Sequence, residues 1–165
     1  MVRIIAIDPG SVVTGVAVIE AERQRYRHLY HGHLRVKGDA WSERLYCIFR
    51  EISGLTAEYQ PHEAAIEEVF MSKNAMSALK LGQARGAAIC ALAEQGLPVS
   101  EYPARLVKKT VVGTGAADKS QVQHMVGAML GLQGKIQADA ADALGIAICH
   151  AIHRNSPIHR LGVKK

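Results

Sequence analysis

The sequence predicts an α/β domain built on a five-stranded mixed sheet, with its first three strands antiparallel and helices on its faces. Two observations carry this expectation. The chain opens with three strand-like segments separated by only a few residues, and such short links join antiparallel neighbours. After them, segments of helical period alternate with short apolar strands, the order that lays helices over a sheet. The length of 165 residues fits a single domain of this kind.

Residues 3–8 are a β-branched run that ends in Asp8-Pro9-Gly10, a turn signal. Residues 14–20 form the second strand. The third spans 26–36, where aromatics and histidines alternate. Residues 41–59 carry helical spacing through Leu45, Ile48, Phe49, Ile52 and Leu55. The fourth strand covers 64–70. An Ala-rich helix follows over 75–95 and stops at Gly96. Residues 99–102 make the fifth strand. Pro103 starts a short helix that Gly113 and Gly115 break. Asp118 is a fitting N-cap for a helix over 118–130, and the last helix spans 137–153. Residues 1–155 are thus expected to form the folded unit, with the polar, basic stretch 156–165 as a disordered tail. This order of elements matches the ribonuclease H-like fold, a match of topology that does not give function.

The composition limits the classes of function. The chain is 48% hydrophobic, too rich for a disordered protein. No apolar run approaches the roughly 20 residues that span a bilayer. The first residues turn acidic too soon for a signal peptide, so a cytoplasmic location is expected. Cys47, Cys90 and Cys149 suit a reducing compartment and form no zinc-binding pair. The net charge is +5, and Lys73, Lys80, Arg85, Arg105, Lys108, Lys109, Lys119 and Lys135 cluster in the middle and later part of the chain. That balance is compatible with phosphate contacts to nucleic acid, and equally with solvated surface charge.

The chemistry is carried by carboxylates in apolar company. Asp8 ends an apolar strand. Glu67 follows Ala64-Ala65-Ile66 in another, with Glu68 beside it. Asp139 and Asp142 lie in a helix that is apolar nearly all round. Three residues apart, they share one helix face and repel each other. Burying unpaired charges costs several kcal/mol per ion, and the first two turns of that helix hold no Lys or Arg. A divalent cation resolves the conflict, and hard oxygen ligands suit Mg²⁺ or Mn²⁺. Four carboxylates can hold two such ions about 3.5–4 Å apart, the arrangement used to hydrolyse phosphodiesters. Each acid also has an ordinary reading. Asp139 can cap its helix, with Asp142 favoured by the helix dipole. Asp8 can form an Asx turn before Pro9. Periodicity does not choose between Glu67 and Glu68.

Longer patterns sharpen the choice. Ile7-Asp8-Pro9-Gly10-Ser11 with Thr14-Gly15, Ala65-Ile66-Glu67-Glu68-Val69-Phe70, and Lys73-Asn74 with Ser77 through Gly86 stand in order along the chain. Val107-Lys108 with Thr110 through Gly113, Lys119-Ser120-Gln121-Val122-Gln123 and Gln137 through Ala143 complete the set. Together they resemble the RuvC family of bacterial crossover-junction endodeoxyribonucleases over about residues 3–153. The resemblance implies a homodimeric, Mg²⁺-dependent resolvase of four-way (Holliday) DNA junctions, acting in recombination and repair, with two ions per site and Mn²⁺ as a substitute. It implies catalytic and metal-binding roles for Asp8, Glu67, Asp139 and Asp142, and it selects Glu67 because the family's Glu directly follows Ala-Ile. Some relatives carry His at the position of Asp139. Lys108 and Lys119 fall on the family's functional lysines and Phe70 on its base-stacking aromatic, so all three are expected to bind DNA. Lys119 near a helix start and Phe70 three residues after Glu67 suit those roles, although exposed lysines and a core Phe are the ordinary readings. The helix holding Gly82 and Gly86 is implied to form the dimer interface. Each Gly costs a helix about 1 kcal/mol, which close approach of a second helix or of the chain's own sheet would justify. The RuvA–RuvB branch-migration complex is an expected partner.

Two other patterns lead elsewhere. His28, His31 and His33 are spaced like ligands, but alternation puts His28 on the opposite strand face from the other two. Residues 8–15 also resemble the phosphate hairpin of an actin-like ATPase, a fold that needs two such domains. Two alternatives to the resolvase remain: a related nuclease acting on RNA–DNA hybrids or another branched substrate, and a junction-binding module without catalysis.

Overall fold

The structure, a computed structural model, describes residues 1–69 and 74–155. Strands β1 (Val2–Asp8) and β2 (Val13–Glu22) pair antiparallel, with Asp8 opposite Gly15. The turn between them closes on Thr14, whose hydroxyl donates to the Gly10 carbonyl at 3.0 Å and accepts from the Gly10 N–H at 3.3 Å. Only glycine fits at position 10, since a Cβ there would stand 1.9 Å from the Val13 carbonyl oxygen. Strand β3 (Arg25–Arg35) continues the antiparallel run beside β2. On the other side of β1, β4 (Glu63–Glu67) and then β5 (Val99–Tyr102) add in parallel. The sheet order is β3-β2-β1-β4-β5, the five-stranded mixed sheet of the ribonuclease H-like fold.

Helices α1 (Trp41–Tyr59) and α2 (Ala75–Glu94) cover one face, against Ile5, Ile7, Val16, Val18, Ala64 and Ile66. Helices α3 (Ala104–Val112), α4 (Lys119–Leu130) and α5 (Ala138–His153) cover the other, against Ile4, Ala6, Ala17, Ile19 and Ala65. The two faces follow from strand alternation, and each buried Ile or Leu contributes about 1.5–3 kcal/mol. Alternation also fixes the site: Asp8 continues the row of Ile4 and Ala6, and Glu67 that of Ala65, so both face the α5 layer. Helix α5 is buried almost all round, from Ala140 to His150. It is tied to β4 and β5 by His150, which bonds Glu63 at 2.8 Å and Tyr102 at 2.9 Å.

Three expectations need correction. Strand β4 stops at Glu67 instead of reaching 70. Its neighbours β1 and β5 end at Asp8 and Tyr102, each followed by a proline that cannot extend a ladder. Second, β3 carries a bulge: Val18 faces Tyr30 while Ile19 faces His28, which leaves Leu29 as the extra residue. The bulge brings His28 onto the face of His31, and their ring nitrogens lie 2.7 Å apart. Third, Gly82 and Gly86 do not serve packing on the sheet, since a Cβ at either would meet nothing within 4 Å. The inner face of α2 is instead made by Ala84, Ala88, Ala91 and Leu92. The tail beyond 155 lies outside the described residues.

Candidate active site

Asp8 and Glu67 end two adjacent parallel strands, Ile7 lying beside Ile66 in the register. This is the point where the chain order of the sheet reverses around β1, the usual place for a site in an α/β sheet. The remaining acids arrive on α5 through a close approach. A Cβ on Gly15, the partner of Asp8 across β1 and β2, would stand 2.1 Å from the Asp139 carbonyl oxygen. With hydrogen there, the first turn of α5 lies directly on β2, and Asp139 and Asp142 come to the same end of the sheet as Asp8 and Glu67. Asp139 does not cap the helix. The N-cap is Gln137, which makes no side-chain cap bond.

Burial and mutual repulsion raise the pKa of Asp8, Glu67 and Asp142. Burial is the largest influence on Asp8, followed by repulsion from Glu67, Asp142 and Asp139, and together they push its pKa to about 8 against the pull of Lys119. Glu67 is pushed up to about 7 by burial and by Asp142, while Lys108 and Lys119 oppose. Asp142 is also raised, by burial first and by Asp139, against Lys119 and Lys108. Glu67 rather than Glu68 therefore shares the field of the aspartates.

The lysines come from separate helices. Lys119 opens α4 immediately after its N-cap Asp118, which with Gln121 forms a capping box. Its Nζ lies 3.7 Å from Asp142 Oδ2. Lys108 reaches the same field from α3. Two lysines against four carboxylates leave negative charge uncompensated, and the donors are all hard oxygens, so the residues fit a divalent cation. Among the described residues, no three His, Cys, Asp or Glu side chains already stand together as an ion cage. The acids are thus coupled through space at one end of the sheet without being drawn into a single coordination shell. Phe70 lies outside the described residues.

Two supporting residues escaped the sequence reading. Gly15 carried a signal, since an isolated Gly within a strand marks close backbone approach. Arg85 of α2 carried none beyond its charge. Its Nε donates to the Glu67 carbonyl at 3.1 Å and its Nη2 to Glu101 at 2.8 Å. It fixes the end of β4 where the ladder runs out.

Comparison with known proteins decides the family. The sequence model for Crossover junction endodeoxyribonuclease RuvC matches residues 4–150. The chain belongs to the RuvC family. It is 54% identical to RuvC of Hahella chejuensis over 162 residues, 98% of this chain and 94% of the relative. It is 56% identical to RuvC of Marinobacter nauticus over 161 residues, 98% of this chain and 91% of that one. Among solved structures, Thermus thermophilus RuvC in complex with Holliday junction substrate superposes with a TM-score of 0.90 at 30% identity, covering 98% of this chain and 100% of that one. A likeness of fold alone reaches the yeast mitochondrial Holliday junction resolvase Ydc2, with a TM-score of 0.67 at 10% identity, covering 91% of this chain and 78% of that one. No described helix of this RuvC-family chain is long and apolar enough to cross a membrane.

Proposed function

We propose that this chain is a crossover junction endodeoxyribonuclease that resolves four-way DNA junctions by cutting two strands of like polarity. One observation carries the reading. In a chain of the RuvC family, four carboxylates from three elements share one sheet end, where burial and repulsion raise the pKa of Asp8, Glu67 and Asp142, with two lysines beside them. Asp8, Glu67, Asp139 and Asp142 would hold divalent metal, two Mg²⁺ ions per site with Mn²⁺ as a substitute. When bound, such ions neutralise charge on the phosphate and lower the pKa of water.

The chain's own groups do the rest. Lys119 and Lys108 draw the scissile phosphate towards the acids. Phe70 would stack a base beside the cut. Water adds to phosphorus, the bond to the 3′ oxygen breaks, and that oxygen takes a proton. The products are a 5′ phosphate and a 3′ hydroxyl within nicked duplex.

The outward face of α2 supports a homodimer. It presents Leu79, 61% exposed, with Gly82 and Gly86 in open space. Two-fold symmetry would match that of the junction. The nuclease unit is then residues 1–155, and RuvA–RuvB is the expected motor partner. The test compares a mobile four-way junction, an RNA–DNA hybrid and linear duplex in Mg²⁺ and in EDTA. Paired cuts in the junction alone, lost in EDTA, are expected. Preferential hybrid cleavage would instead mark a different nuclease. Binding without any cutting would mark a junction-binding module.

A further inference from the structure

A basic cleft of about 630 Å³ opens between the end of β3 and helix α1, outside the acidic site. His33, Arg35, Lys37, Tyr46 and Arg50 line it. Two acids, Glu43 and Glu51, also reach it, but both are engaged. Glu43 accepts the backbone N–H groups of Asp39 and Ala40 at 2.9 and 3.2 Å. Glu51 pairs with Arg50 at 2.8 Å. Arg35 and Lys37 are exposed, and neither forms an ion pair among the described residues. Tyr46, 63% exposed, stands on the α1 wall beside them.

The place of the cleft gives the unpaired charge a partner. His33 is opposite Gly15, and Gly15 is opposite Asp8, so the three lie on one row across neighbouring strands. Two strand spacings put the β3 backbone roughly 10 Å from that of Asp8. A duplex strand carries a phosphate for about every 3.4 Å of its axis, so this separation is a few nucleotides of backbone. Arg35 ends β3 and Lys37 lies two residues beyond it, at this end of the sheet.

We propose that this cleft binds the phosphodiester backbone of the DNA arm next to the cut, with Arg35 and Lys37 as its phosphate contacts. The inference rests on the nuclease reading and adds a binding surface to it. The test measures junction affinity against salt for the wild type, the double variant Arg35→Ala/Lys37→Ala, and Arg25→Ala at the far end of β3. Each phosphate contact adds about 0.9 to the slope of log affinity against log salt. The double variant should therefore lose about two from the slope and bind more weakly whatever the junction sequence. Arg25→Ala should leave the slope unchanged. An unaltered slope in the double variant would overturn the cleft, as would an equal loss in Arg25→Ala, which would reduce the effect to net charge. A wild type that neither binds nor cuts junctions would sink the nuclease reading itself, a result distinct from either. Both side chains point into solvent, and unchanged melting temperatures would establish that the variants fold.

Discussion

Asp8 shows how burial and function oppose each other in one residue. Its pKa, about 8 against an ordinary 3.8, is raised by burial first and then by Glu67, Asp142 and Asp139. An acid raised on folding binds its proton more tightly in the native state, so ionisation works against the fold. The stability it contributes is complete below the unfolded value and is lost as pH rises through about 8. Asn mimics the protonated acid. In EDTA, Asp8→Asn should therefore melt above the wild type at pH 9 and close to it near pH 4, with each kcal/mol recovered worth about 2–4 °C. Adding Mg²⁺ at pH 8 should raise Tm for the wild type more than for the variant, because a ligand that binds only the native state stabilises it. The same substitution should lower junction cutting by about 10²–10³-fold, the usual loss on removing one transition-state contact, while junction binding survives. Equal melting of the two proteins at pH 9 in EDTA would remove the electrostatic basis of the site.

At the scale of elements, the site depends on how closely α5 lies on β2. Gly15→Ala would set a Cβ 2.1 Å from the Asp139 carbonyl oxygen, so the helix must move. Overpacking of this kind costs about 1–3 kcal/mol. We expect a melting temperature lower by several degrees, and a loss of cutting larger than the loss of junction binding, since Asp139 and Asp142 move with the helix. A stable variant with wild-type cutting would mean that the approach is not needed. The elements themselves were legible, because period and turn residues are local properties. Local pattern could not give the bulge at Leu29, which exists only as a register between β2 and β3. Nor could it end β4 at Glu67, a limit set by prolines 9 and 103 in the flanking strands. The choice of Glu67 over Glu68 likewise becomes physical only once α5 covers one face of the sheet.

Across the whole molecule, the four acids were legible one by one as carboxylates in apolar segments, whereas their counter-charges were not. Lys119 and Lys108 come from α4 and α3, and only the packing of those helices against α5 brings them to Asp142 and Glu67. The two glycines of α2 were legible as a conflict between helix propensity and sequence, and the fold leaves that conflict unresolved within one chain. Among the described residues nothing covers their face, where Leu79 is 61% and Met76 60% exposed. Leu79→Glu would place a charge at the centre of that face without touching the core. We expect the wild type to sediment as a dimer at micromolar concentration and the variant as a monomer of unchanged melting temperature. Cutting should follow assembly. A dimer presents two sites related by the junction's own symmetry, so the wild type should yield paired nicks, and the monomeric variant single nicks at a lower rate. A wild type that is monomeric and still cuts both strands in concert would separate resolution from this face altogether.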